Sequence, residues 1–190
     1  MSDAPDGSAK SASGPVDDAD VRPVTAYRNI ILTGFMGTGK STVGRILARR
    51  LSMDHVDTDK MIERRHGPIP QIFKEQGEDG FREIERVIAK EISNDKGYVI
   101  STGGRFMLDP ENVATLQDAN RIFCLVAELE VVMERVMRRR SSRPLLAGDD
   151  PRALVEELMR ERADGYAQFE AVPTSERPPS KVVDDIVSRL

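Results

Sequence analysis

Residues 34–41 read GFMGTGKS, a match to G-x-x-x-x-G-K-[ST] from Gly34 to Ser41. Each residue type has a task in that pattern. Glycines let consecutive backbone N–H groups converge on phosphate oxygens, Lys40 can reach the outer phosphates, and the Ser41 hydroxyl can ligate magnesium where the next helix begins. Gly37, Thr38, Gly39, Lys40, Ser41 and Thr42 are therefore the expected nucleotide contacts, for ATP or GTP with Mg2+. The competing reading is a plain glycine-rich turn. Average composition yields such a match in a chain this short about once in a hundred sequences. The match also lies between the apolar run NIILTG and a helix with Val43, Ile46, Leu47 and Leu51 on one face, the context a phosphate loop needs.

Three further stretches carry groups for an acceptor. VDTDK places Asp57 and Asp59 directly after a short strand, at the edge where ligands of open α/β sheets bind. One carboxylate can organise magnesium and its water while the other orients or deprotonates an attacking hydroxyl; the plainer role is to cap the next helix. GFREIE puts Arg82 and Glu85 three residues apart, off the Phe81/Ile84/Ile88 face. That spacing suits a solvated ion pair, or an arginine aimed into a pocket to hold a carboxylate by two N–H groups. STGGR brings Gly103 and Gly104 after another strand, where they either let backbone amides approach a ligand or make a turn.

The elements that must position these groups follow from periodicity. Strands are expected at NIILTG, around 53–56, at YVIST, RIFCLV and AVPT. Helices are expected after the phosphate loop, at DKMIERR, FREIERVIAKEI, LDPENVATLQ and ELEVVMERVM, from Asp150 to about Tyr166, and at KVVDDIVSRL. Asp109 before Pro110 and Asp150 before Pro151 read as caps followed by a first-turn proline. The alternation implies an α/β fold, a three-layer α/β/α sandwich with a five-stranded parallel sheet.

Composition bounds the partners. The chain has 190 residues, 39% hydrophobic and 32% charged, with a formal charge of −4 and a pI near 5.4. These values suit one soluble domain and give no overall attraction to nucleic acid or anionic lipid. Cys124, the single cysteine, sits in an apolar run and excludes an internal disulfide. Residues 1–26, rich in Ser, Ala, Asp, Gly and Pro, are expected to be a disordered tail, leaving 27–190 as a single domain. No run reaches the roughly 20 apolar residues of a membrane helix, and the N-terminus lacks a secretory pattern. The expectation is a cytoplasmic monomer with no membrane or nucleic-acid partner.

Switch GTPases carry a base-reading N-K-x-D tetrad, which does not occur here, and remodelling ATPases need longer chains; a small kinase fits better. The order GFMGTGKST, VDTD, GFREIE, STGG, RPLL and ERADGY resembles the shikimate kinase family from Arg28 to the C-terminus. The resemblance implies transfer of the ATP γ-phosphate to the 3-hydroxyl of shikimate, on the way to chorismate and the aromatic amino acids, on a P-loop kinase fold with a lid. Carried over, Lys40, Asp59 and Arg143 would be catalytic, Asp59 as base and ring-hydroxyl ligand and Arg143 on the transferring phosphates. Asp57 would support magnesium beside Ser41. Arg82 and Arg162 would hold the shikimate carboxylate, Gly103 and Gly104 would contact the acceptor, and Glu85 would orient Arg82. RRRSSRPLL, within 138–150, would be the lid; a solvated basic loop and a nucleic-acid patch are the alternatives. Two departures stand out. Arg105 replaces the family's third glycine, and Asp164–Gly165 replaces a proline–leucine pair before Tyr166. The rival readings are a kinase whose acceptor has shifted because of Arg105, and a non-catalytic nucleotide-binding regulator.

Overall fold

The computed structural model describes residues 27–138 and 150–190. The expected tail, Arg143 and all but the two ends of the expected lid lie outside the described residues. Five strands, β1 (Ile30–Thr33), β2 (Asp54–Asp57), β3 (Tyr98–Ser101), β4 (Arg121–Val126) and β5 (Glu170–Pro173), form one sheet in the order β2-β3-β1-β4-β5. Every pairing is parallel. The strands are short apolar runs because both faces are covered, which removes the need for polar alternation. Ile31 lies opposite Ile100 and Ile122 and joins them in one core; its neighbours Ile30 and Leu32 share the other with Val99, Phe123 and Leu125.

On that second face α1 (Lys40–Arg50) buries Val43 and Leu47 beside α8 (Pro179–Val187), which supplies Val182, Val183 and Ile186. The first face carries α2 (Thr58–His66), α3 (Ile69–Asn94) and α4 (Pro110–Leu116). A third cluster joins Phe35 and Cys124 to α5 (Leu129–Met137), α6 (Pro151–Glu161) and α7 (Ala163–Ala167). The two capping aspartates act as their sequence position predicts. Asp109 accepts from the Glu111 amide at 2.9 Å and Asp150 from the Ala153 amide at 3.0 Å.

Two helices differ from the expectation. α3 begins twelve residues before Phe81 and is interrupted at Gly77, whose φ of 72° and ψ of −171° are not helical. Pro68, Pro70, Gly77 and Gly80 obscure the apolar spacing of its first part. The helix expected to reach Tyr166 stops at Glu161; Arg162 is its C-cap, and α7 starts afresh at Ala163.

Candidate active site

Because the strands are parallel, β1, β2 and β3 deliver their following loops to one edge of the sheet. Gly34 leaves β1 with φ 124°, and a Cβ there would stand 2.2 Å from the Leu125 carbonyl oxygen. Only glycine lets the loop depart so close to β4. The loop ends at Gly39, which caps α1 without any side-chain hydrogen bond. An uncapped helix start presents amides and the positive end of the helix dipole to an anion. Lys40 Nζ donates to the carbonyls of Gly34 at 2.7 Å and Phe35 at 2.9 Å, and the Thr38 hydroxyl donates to Phe35 at 2.8 Å. The ammonium is thus folded back over the loop that precedes it.

Arg135 supports this loop from α5, donating to the Gly37 carbonyl at 3.3 Å and to the Thr174 carbonyl at 2.9 Å, beyond β5. The sequence pattern gives no signal for that role, since Arg135 is one of several arginines in a basic stretch.

The Ser41 hydroxyl donates to Asp57 Oδ2 at 2.7 Å, joining the phosphate loop to the end of β2. Asp57 Oδ1 also accepts from the Lys60 amide at 3.3 Å, so the helix-cap role and the site role coexist. The described residues hold no group of three or more His, Cys, Asp or Glu able to cage a metal. A serine hydroxyl with one carboxylate is nonetheless a hard-oxygen pair that suits Mg2+, which keeps most of its shell as water and phosphate oxygen. Asp59, two residues on, is half-buried. Burial first, then the charge of Asp57, raises its pKa to about 6, while Lys40 pulls the other way.

The acceptor side is made of side chains. Arg82 Nη1 meets Glu85 Oε2 at 2.6 Å, and Glu85 is only 1% exposed, so the pair is not the solvated one its spacing allowed. Burial lifts the Glu85 carboxyl to about 7 against the pull of Arg82, with the charge of Asp59 adding to the rise. Glu78, unremarked in the sequence although it stands four residues before Arg82, takes that guanidinium's Nε at 3.3 Å and Nη2 at 2.9 Å. Its i, i+4 spacing was the available signal. Arg105 points to the same carboxylate, 2.7 Å away.

Gly103 donates its amide to the Thr58 hydroxyl at 2.9 Å, and a Cβ on it would lie 2.5 Å from Asp59 Oδ1 and 3.3 Å from Glu85 Oε1. The glycine therefore lets the end of β3 pass against both carboxylates. The Gly104 carbonyl accepts from the Tyr166 hydroxyl. Arg162 lies over the same residue, its Nη1 3.9 Å from where a Gly104 Cβ would be, with its guanidinium 5.6 Å from the centre of the Phe35 ring. Its Nε is buried and has no hydrogen-bond partner among the described residues. This arginine stands at the break between α6 and α7, as the C-cap of one and the N-cap of the other. Lys40, Ser41, Asp57, Asp59, Arg82, Gly103, Gly104 and Arg162 thus come together, and Arg143 lies outside the described residues.

Comparison with known proteins decides between acceptor families that share such an edge. The family model for shikimate kinase matches residues 36–190. The chain belongs to the shikimate kinase family. A shikimate kinase of Desulforudis audaxviator is 49% identical over 140 residues, 73% of either chain. That of Pseudomonas syringae pv. tomato is 42% identical over 166 residues, 86% of this chain and 96% of the relative. In structure, a shikimate kinase from Acinetobacter baumannii, solved in complex with shikimate, superposes with a TM-score of 0.80 at 32% identity, covering 86% of this chain and 92% of that one. Shikimate kinases are kinases that use ATP, which removes GTP and the non-catalytic regulator from the readings of the phosphate loop.

Proposed function

We propose that this protein transfers the γ-phosphoryl group of ATP to the 3-hydroxyl of shikimate, in one ternary complex and with no covalent enzyme intermediate. The observation that carries the reading is the meeting, at one sheet edge, of the Lys40 loop with a carboxylate beside two arginines. Shikimate is a carbocycle with a carboxylate at one end and hydroxyls at the other, and the pocket is polarised to match. Arg82, fixed by Glu85, and Arg162, with its unpartnered Nε, face the carboxylate end; Asp59 beside Gly103 faces the hydroxyl end.

Asp59 orients the acceptor hydroxyl and takes its proton as the bond to phosphorus forms; with a pKa near 6 it is ionised at neutral pH yet basic enough to help. Lys40 exchanges its loop carbonyls for phosphate oxygens and spreads positive charge over the transferring group. Arg143 is assigned the same task. Ser41 and Asp57 would hold Mg2+, which screens the charge of the phosphates when bound. The protein acts as a monomer, without nucleic acid.

The test is ADP release from the purified chain with ATP and magnesium, with and without shikimate, and the mass of the product. Shikimate-dependent release with formation of shikimate 3-phosphate is expected. Folded protein that binds ATP and ignores shikimate would overturn the reading and favour a different hydroxylated anion.

A further inference from the structure

Glu78 and Glu85 bind the same arginine in opposite settings. Glu85 is sealed at 1% exposure, and parting it from Arg82 would strand a buried charge. The Glu78 side chain is 51% exposed, and its Oε1 alone receives Arg82 Nε, Arg82 Nη2 and Arg105 Nη1, at 3.3, 2.9 and 2.7 Å. One oxygen bound by three N–H groups of two guanidiniums is the chemistry of a captured ligand carboxylate. It sits at a rim where letting go returns the exposed Glu78 and Arg105 side chains to water, while Arg82, only 17% exposed, keeps Glu85 as its partner. Arg105, 40% exposed, follows directly on Gly104, over which Arg162 lies, so all three cations border one seat.

We propose that Arg105 is a specificity-determining residue of the acceptor site. It makes with Arg82 a two-guanidinium seat for a carboxylate, which Glu78 fills as an internal stand-in until a carboxylate-bearing acceptor displaces it. The proposal rests on the acceptor reading above. It makes Glu85 the permanent partner of Arg82 and Glu78 the exchangeable one.

The experiment measures kcat and both KM values of the full chain with shikimate, for the wild type, Arg105→Ala, Arg105→Lys and Glu78→Gln. In Arg105→Ala the shikimate KM is expected to rise about five- to tenfold, while kcat and the ATP KM move less than about twofold, as for one lost charge-assisted contact. Arg105→Lys is expected to recover part of that loss, and Glu78→Gln, freeing both cations, to lower the shikimate KM. An unchanged shikimate KM in Arg105→Ala, or a Lys variant no better than Ala, overturns the role of Arg105. A higher or unchanged shikimate KM in Glu78→Gln overturns the stand-in. Wild-type protein that does not use shikimate overturns the acceptor reading and this inference together; normal wild-type turnover with unaltered variants overturns this inference alone.

Discussion

The two halves of the site are built from different materials. The donor half is mostly backbone: a glycine loop, an uncapped helix start and one lysine folded onto two carbonyls. The acceptor half is mostly ionised side chains, with Arg82, Glu85, Glu78, Arg105, Asp59 and Arg162 drawn from four separate stretches. Backbone amides cannot be titrated or exchanged by substitution, so the donor half is a fixed cradle of the kind that suits a phosphate chain. The acceptor half is adjustable residue by residue, and burial has already raised the pKa of two of its carboxyls, Asp59 and Glu85.

That division can be broken by experiment. The largest effect is expected from Lys40→Ala, which should lower kcat about a thousandfold or more for every acceptor tried, as loss of a group that stabilises transition-state charge does. Steady-state kinetics retaining a tenth of the activity would remove Lys40 from the transfer step. Next, Arg82→Ala should raise the shikimate KM about 30- to 100-fold, the loss of a charge-assisted contact, and leave ATP binding within about twofold. Calorimetric titration with each ligand checks it, and equal weakening of both would erase the boundary between the halves. Gly103→Ala should reduce kcat/KM for shikimate about tenfold, because the new methyl must push Asp59 from its 2.5 Å position.

The smallest effect concerns stability. The Asp59 pKa is raised from 3.8 to about 6, so its contribution to stability is complete below pH 3.8 and lost as pH rises through 6. Above that, the ionised carboxylate is a liability of about 1–3 kcal/mol. Asp59→Asn should therefore raise Tm by a few degrees at neutral pH and not at pH 4, while abolishing the fall in wild-type kcat/KM below pH 6 together with most of the activity. Thermal melts at both pH values decide the first point. An unchanged Tm would mean the carboxylate is better solvated than its surroundings suggest.

The same division explains what could be read from sequence. The donor half is contiguous, and its glycine spacing is dictated by covalent geometry, so Gly34 to Ser41 announced it. β4 was legible because residues 122–126 form an uninterrupted apolar run led in by Arg121. The acceptor half is assembled by topology. Asp59 and Gly103 lie 44 positions apart and touch only because β2 and β3 pair in parallel register. Neither the direction of Arg105 nor its sharing of Glu78 with Arg82 could be read from the sequence, since both depend on where α3 resumes after Gly77. The Thr58 hydroxyl that receives the Gly103 amide carried no signal either, being an ordinary residue between two conspicuous ones.

One contact crosses between the halves. Phe35, whose carbonyl is held by Lys40 and Thr38, lies beneath the guanidinium of Arg162. When phosphate competes for the lysine, the residue bearing that ring loses an anchor, and the cation stacked on it is the one assigned to the acceptor carboxylate. The two ends of the site thus share one aromatic residue, a contact through which a nucleotide and an acceptor could be linked without passing through the reacting atoms. Thermodynamic linkage requires the influence to be mutual: whatever factor ATP applies to shikimate affinity, shikimate applies to ATP.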